Sequence, residues 1–307
     1  MIRSTHRDSL NAGIARLQKV WSELYQALQT PVSAVVTLRL TALMLIFYGE
    51  ISLIQEVFLT IFCGVLLLAP RLLNTSVLWL LITAIFWLIN AQYWLELDNH
   101  KFLMGYWCTV CVLALSSTRP RRVFAQNAHK LLGLVFLLAT VWKLWAGEYL
   151  NGSFFHYTLL VDSRLEDLAH LLGNLSRDAL TQNYLIQDLG QWLSGSDALY
   201  LNTTPQLRVL AQVLSYWTLF IEAILSIAFL VPVKFLLGRW RNGLLIIFIA
   251  TTYFAVPVLG FAYLLVIMGL AQTQQGEWRA RLGYLSLLIV LQLWRLPWLA
   301  KLDSLIS

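Results

Sequence analysis

Lys143 is the only charged residue between Lys130 and Glu148, inside the apolar stretch Asn127–Gly152. An ammonium at the centre of a lipid-embedded helix costs about 2.5–3.5 kcal/mol on insertion scales, and less near the interface. Such a residue either snorkels to the headgroups along its own aliphatic stem or has a use. The use open to it is proton transfer, because a desolvated lysine has a lowered pKa and can act as a base. His100, with Asn99 beside it, opens another apolar run; an imidazole and a carboxamide can orient a substrate oxygen, although a lone interfacial histidine is most often structural. Arg39 and Glu222 are two further charges inside apolar runs. Neither would be tolerated facing lipid, so they are expected to pair as a structural ion pair. Cys108 and Cys111 form a C-x-x-C, here two small residues on one face of an apolar helix rather than a redox motif. No residue spacing suggests a metal site.

The elements that must carry these residues follow from composition. The chain has 307 residues, 59% hydrophobic and 12% charged, with a mean hydropathy of +0.68. A soluble domain is about 25% charged. An all-α, polytopic transmembrane bundle is therefore expected, because lipid admits only helices or closed barrels, and these apolar runs are too long and too continuous for barrel strands. The net charge of +6 then speaks of topology and lipid contact, with the bilayer as partner and no nucleic acid.

Residues 1–31 carry Leu10, Ile14, Leu17, Trp21, Leu24 and Leu28 at steps of three and four, with Arg3, Arg7, Arg16 and Lys19 among them. This predicts a basic amphipathic helix, either lying on the membrane surface or packed against the spans. Residues 32–300 form the transmembrane domain. Spans are expected at Val32–Leu53, Ile54–Leu68, Ser76–Trp94, Phe102–Ser116, Asn127–Gly152, Leu207–Val231 and Leu282–Leu299. The long run Gly243–Gln272 contains Pro257 and Gly260 and should break into two. Eight or nine spans result. The polar region 147–206 contains only weak amphipathic pieces and is expected to form an extracytoplasmic helical cap. Arg71, the cluster Arg119/Arg121/Arg122/Lys130, and Lys234/Arg239/Arg241 share the side of the N-terminus; with nine spans Arg279 and Arg281 join them. The positive-inside rule makes that side cytoplasmic. His100, at the start of one span, and Lys143, at the end of the next, then fall on the extracytoplasmic side.

Thr37–Leu40 (TLRL), Asp98–Phe102 (DNHKF), Lys143–Leu144, Tyr149 and Gly152 together resemble the HTTM domain, the membrane domain shared by vitamin K-dependent gamma-carboxylase and its bacterial relatives. Arg39 matches the family's arginine in the first helix, and Glu222 its glutamate in a later one. The resemblance covers roughly 32–272. It implies that Lys143 is the base that deprotonates a reduced, vitamin K-like quinone, that His100 and Asn99 position substrate, and that Tyr149, where the family usually has tryptophan, lines the substrate site. The carboxylase itself then uses oxygen to convert the quinol to an epoxide and a strong base, which takes a proton from a glutamate side chain. Near Thr252–Tyr253 a histidine carried by many members is missing. Few residues follow the last span, leaving no counterpart to the carboxylase's large lumenal domain, so peptide gamma-carboxylation is not expected. Beside this quinone- or lipid-directed enzyme stands an alternative on the same fold: a non-catalytic assembly factor, lipid-binding protein or subunit of a larger complex with a membrane-protein partner.

Overall fold

The computed structural model describes residues 18–19, 22–23, 25–49, 52–192, 200–256 and 258–293. All regular secondary structure among them is helical. The helices are α1 (Ala34–Tyr48), α2 (Leu53–Leu68), α3 (Pro70–Leu73), α4 (Ser76–Gln92), α5 (Asn99–Leu115), α6 (Pro120–Ala146), α7 (Ser153–Val161), α8 (Glu166–Leu171), α9 (Arg177–Trp192), α10 (Pro205–Leu230), α11 (Leu236–Ala255), α12 (Leu259–Gln272) and α13 (Trp278–Leu293), with a 3-10 turn at Ser163–Leu165. Most of the expected N-terminal amphipathic stripe and the residues after Leu293 lie outside the described residues.

Two helices, α6 and α10, are long and apolar enough by length and composition to cross a membrane. α1, α2, α4 and α12 are apolar but shorter. Local chemistry trims them. Ser33 and Ser52 cap the starts of α1 and α2 by accepting from the Val36 and Gln55 amides. Pro70 stops α2 and opens α3. The long run does break where Pro257 stands, into α11 and α12. α6 begins seven residues before the expected span and takes Arg121 and Arg122 into its first turns. α11 likewise takes in Arg239 and Arg241, expected in a link.

The chain divides into two compact units, Met1–Ala128 with Val266–Val290, and His129–Leu265 with Leu291–Ser307. In the first, α1 packs on α2 and α4 on α5 as consecutive hairpins. The buried Trp107 indole donates to Thr41 Oγ1 at 2.9 Å, tying α5 to α1. Gly269 lets α12 and α13 touch, since a Cβ there would lie 2.6 Å from the Tyr284 ring. Arg281 is 2% exposed. Its guanidinium donates to Thr273 Oγ1 at 3.0 Å and to the carbonyls of Leu28 and Gln274. The Thr273 and Gln274 oxygens lie just past the end of α12, where a cation is favoured, so Arg281 is an internal clamp rather than a surface charge.

In the second unit, α7, α8, α9 and the first turns of α10 close a small core: Leu159, Leu160, Leu165, Ala169, Leu175, Leu180, Leu207 and Ala211. Asn183 is fully buried and staples this cap, donating to the Asn202 carbonyl at 3.0 Å and accepting from the Asn202 amide at 2.7 Å. Thr204 caps α10 by accepting from the Leu207 amide, and its hydroxyl donates to the Gly173 carbonyl. Gly152 turns the chain into α7 at a φ of +77°, and a Cβ there would lie 3.4 Å from Gln212 Cα. The cap thus sits on an extension of α10.

Candidate functional site

Lys143 occupies the last turn of α6, just before Gly147 ends the helix with a φ of +72°. Glu222 lies on the buried stripe of α10, with Leu219, Leu225 and Ser226. Lys143 Nζ donates to both carboxylate oxygens of Glu222, at 2.6 and 2.5 Å. The two side chains are only 13% and 9% exposed. Lys143 therefore does not snorkel. Two of its three N–H donors are committed to Glu222, and one remains. The ammonium also lies 5.2 Å from the centroid of the Tyr149 ring, over its face, where the ring quadrupole attracts a cation.

Tyr149 is held in turn. Its ring stacks on Phe154 at 4.4 Å and meets Phe155 edge-on at 5.9 Å. The Gly147 and Gly152 turns fold this aromatic wall back beside the end of α6. The Glu222 charge also acts on the buried Tyr253, which packs edge-on against Phe248 and Phe261. Among the described residues no cluster of three or more His, Cys, Asp or Glu could hold a metal.

The expected partner of Glu222 was Arg39, and this is corrected: both carboxylate oxygens are taken by Lys143. Arg39 belongs to the first unit and is exposed. α1 buries Thr37, Leu38, Thr41, Ala42, Met44 and Leu45, which turns Arg39 outward. The physical reason is that the first turns of α10 belong to the polar cap rather than to its apolar length. Leu207 and Ala211 belong to the cap core, so the lipid-compatible part of the helix starts later and Glu222 lies level with the end of α6. The signal was present in the polar residues Gln206, Arg208 and Gln212 of its first turns.

His100 and Asn99 open α5 in the first unit. The His100 side chain is 12% exposed, with Nδ1 3.7 Å from Asp98 Oδ2. Asn99 is exposed. Lys143, Glu222 and Tyr149 come together within the second unit; His100 and Asn99 are placed within the first.

In the cap, outside the apolar helices, Asp162 and His156 are among the titratable groups that are displaced. Arg164 holds the Asp162 carboxyl below its ordinary range, chiefly by direct hydrogen bonds, against the opposing effect of burial. Burial, aided by the Arg208 charge, lowers the His156 imidazole, whose Nε2 is 2.8 Å from Thr203 Oγ1.

No known protein family, curated protein or solved structure matches this chain.

Proposed function

We propose that the chain is a multi-pass integral membrane protein, with its N-terminus in the cytoplasm, that binds a quinol-type, membrane-soluble substrate at Lys143 and takes a proton from it. Support for the membrane setting comes from inverted burial. Leu88, Leu138, Trp142, Phe220 and Ile289 are each more than 60% exposed, while Glu222, Arg241, Asn242 and Arg281 are buried. A water-soluble fold seldom leaves large apolar side chains this open while burying charged ones. Two helices long enough to cross, with shorter apolar helices beside them, accord with this, and the basic residues set the orientation.

The observation that carries the reading is the ammonium bonded twice to Glu222, with one donor left beside an aromatic wall. The surroundings suit a flat quinol: the Tyr149, Phe154 and Phe155 rings make an aromatic wall beside the ammonium, and the remaining Lys143 N–H meets a ring oxygen. The quinol supplies the acidic hydroxyl and the reducing equivalents. The protein handles the proton. Shifting one from Lys143 Nζ to a Glu222 oxygen gives a neutral amine and a neutral acid, the form favoured where charge is poorly solvated. That amine then accepts the hydroxyl proton of the bound substrate, and Tyr149 holds the resulting ammonium through its ring face. His100 and Asn99 are proposed as substrate-positioning residues, as the HTTM resemblance implies, and the chain is proposed to be related to that family.

The test is oxygen-dependent consumption of a reduced naphthoquinone by the purified protein, followed chromatographically. Lys143→Met should abolish turnover in a chain that still folds; full activity in that variant removes the reading. A second reading is favoured by the same two-point pair, which saturates both Glu222 oxygens as a structural brace does. In it the chain is a non-catalytic assembly factor, lipid binder or complex subunit. The double variant Lys143→Met/Glu222→Met then keeps all partner binding, and a stoichiometric polypeptide co-purifies with it.

A further inference from the structure

The turn from α10 into the start of α11 carries Val233, Phe235, Leu236 and Trp240, each 48–71% exposed. Lys234 and Arg239 are interleaved with them and are exposed as well. Among the described residues neither cation is paired with a carboxylate. No Asp or Glu occurs in residues 99–147 or 223–276, which include α6, the end of α10 and all of α11.

Local packing fixes the shape of this turn. A Cβ on the buried Gly238 would lie 2.5 Å from the Pro232 carbonyl oxygen, so only glycine lets α11 start this close to the end of α10. The Phe235 amide donates to the Pro232 carbonyl at 3.0 Å, and the Arg239 amide to the Phe235 carbonyl at 3.2 Å. Lys234 Nζ lies 5.2 Å from the centroid of the Phe235 ring, over its face. That contact steadies the ammonium and spends none of its three N–H donors. α6 comes alongside the same end: the His129 ring is 5.6 Å from that of Phe229, and a Cβ on Gly133 would lie 2.9 Å from Leu230. The exposed Lys130 therefore adds a third cation at this end of the second unit.

Water disfavours the four apolar side chains, and hydrocarbon disfavours the cations. The boundary of a bilayer accepts both, because aromatic and aliphatic side chains enter it while Lys and Arg are drawn to negative headgroups. A neutral headgroup would leave the cations without a counter-charge. We infer that the α10–α11 turn is a docking site for an anionic phospholipid, its phosphate met by Lys234 and Arg239 and its acyl chains covering Phe235, Leu236 and Trp240. The fixed shape of the turn keeps the ordering cost of binding low. The site requires the membrane setting proposed above and is independent of the role of Lys143.

The full chain, purified in mild detergent, is titrated with phosphatidylglycerol or with phosphatidylcholine, and bound lipids are counted by native mass spectrometry. Phosphatidylglycerol should bind the wild type about tenfold more tightly, some 1.4 kcal/mol, and added salt should weaken that preference. Lys234→Gln/Arg239→Gln, which changes only exposed side chains and should fold as the wild type does, should lose most of it. Arg177→Gln, which removes a cation from the cap instead, should keep it. Excess inorganic phosphate should not displace the lipid, since it brings nothing to cover the apolar side chains. Equal binding of the two lipids, a double variant that keeps the preference, or displacement by inorganic phosphate overturns the site. So does an acidic polypeptide that co-purifies with the wild type and is lost from the double variant. Alkaline carbonate extraction of native membranes separates the two readings: a chain released into the supernatant overturns the membrane setting and the site together, and a chain that is retained but shows no lipid preference overturns the site alone.

Discussion

Glu222 in the second unit is buried with its counter-charge upon it, whereas Gln55 in the first is buried with neither amide group bonded among the described residues. The two residues sit in comparable places, on the inward stripes of apolar helices. Their chemistry differs. A carboxylate cannot stay buried and charged without a partner, so the second unit supplies Lys143 and builds a closed, self-sufficient pair with one donor to spare. An amide is neutral, and its burial without partners is costly but tolerable. The first unit therefore leaves groups available where the second consumes them.

The sharpest way to break this contrast is to remove one side of the closed pair. Lys143→Met alone leaves a buried carboxylate unmatched, and Glu222→Met alone leaves an ammonium; each should cost about 3–5 kcal/mol of stability. Lys143→Met/Glu222→Met should recover most of that loss, because a hydrophobic replacement of similar volume is often neutral. Thermal unfolding in detergent of the four proteins closes a double-mutant cycle. A cycle with no coupling would mean that the pair does not hold the second unit together.

The same logic extends into the cap, where Asn183 is buried but fully used. Asn183→Ala strands the Asn202 amide and carbonyl, each of which it bonds. The loss should be about 2–3 kcal/mol, and it should appear as earlier proteolysis within 147–206 while the apolar helices stay resistant. Uniform proteolysis of the whole chain would show that the cap has no separate stability.

A smaller effect tests the aromatic wall. Tyr149→Leu removes the ring under the Lys143 ammonium and should cost about 1 kcal/mol. Tyr149→Phe keeps the ring face and should be close to wild type in unfolding temperature. Equal losses in the two would assign the effect to the hydroxyl rather than to the ring.

Much of the helical layout is legible in one dimension. Pro70 ends α2, the run around Pro257 breaks, and the described part of the polar region 147–206 folds into short helices, because proline chemistry and hydropathy act locally. The pairing of charges is not legible in this way. Whether Glu222 meets Lys143 or Arg39 depends on how far α10 extends into the cap, and that is decided by Leu207 and Ala211 joining a core built from α7, α8 and α9. Arg281 makes the same point. By composition it is one more basic residue near a helix start, and only the folded chain brings the Leu28 and Gln274 carbonyls around it. Lys143, by contrast, is conspicuous at once, since a lone cation in an apolar run needs a partner.

The smallest expected effect is a pH dependence confined to the cap. His156 has its pKa lowered on folding, by burial first and the Arg208 charge second. The unfolded chain therefore binds more protons than the folded one as pH falls through the ordinary histidine range, and stability must rise with pH across that window. The cap should be more resistant to proteolysis at pH 7.5 than at pH 5.5. His156→Gln, which can still reach Thr203 but cannot titrate, should flatten the difference. Asp162 works at lower pH: Arg164 depresses its carboxyl, so its contribution is present above the ordinary aspartate range and is lost only as pH falls through the depressed value. Two separate acid steps in cap stability, with only the upper one removed by His156→Gln, would assign each to its residue. A single step insensitive to His156→Gln would mean that the imidazole is too well solvated for its burial to matter. The Lys143–Glu222 pair lies outside the cap core, and the cap's upper step should survive its replacement by two methionines.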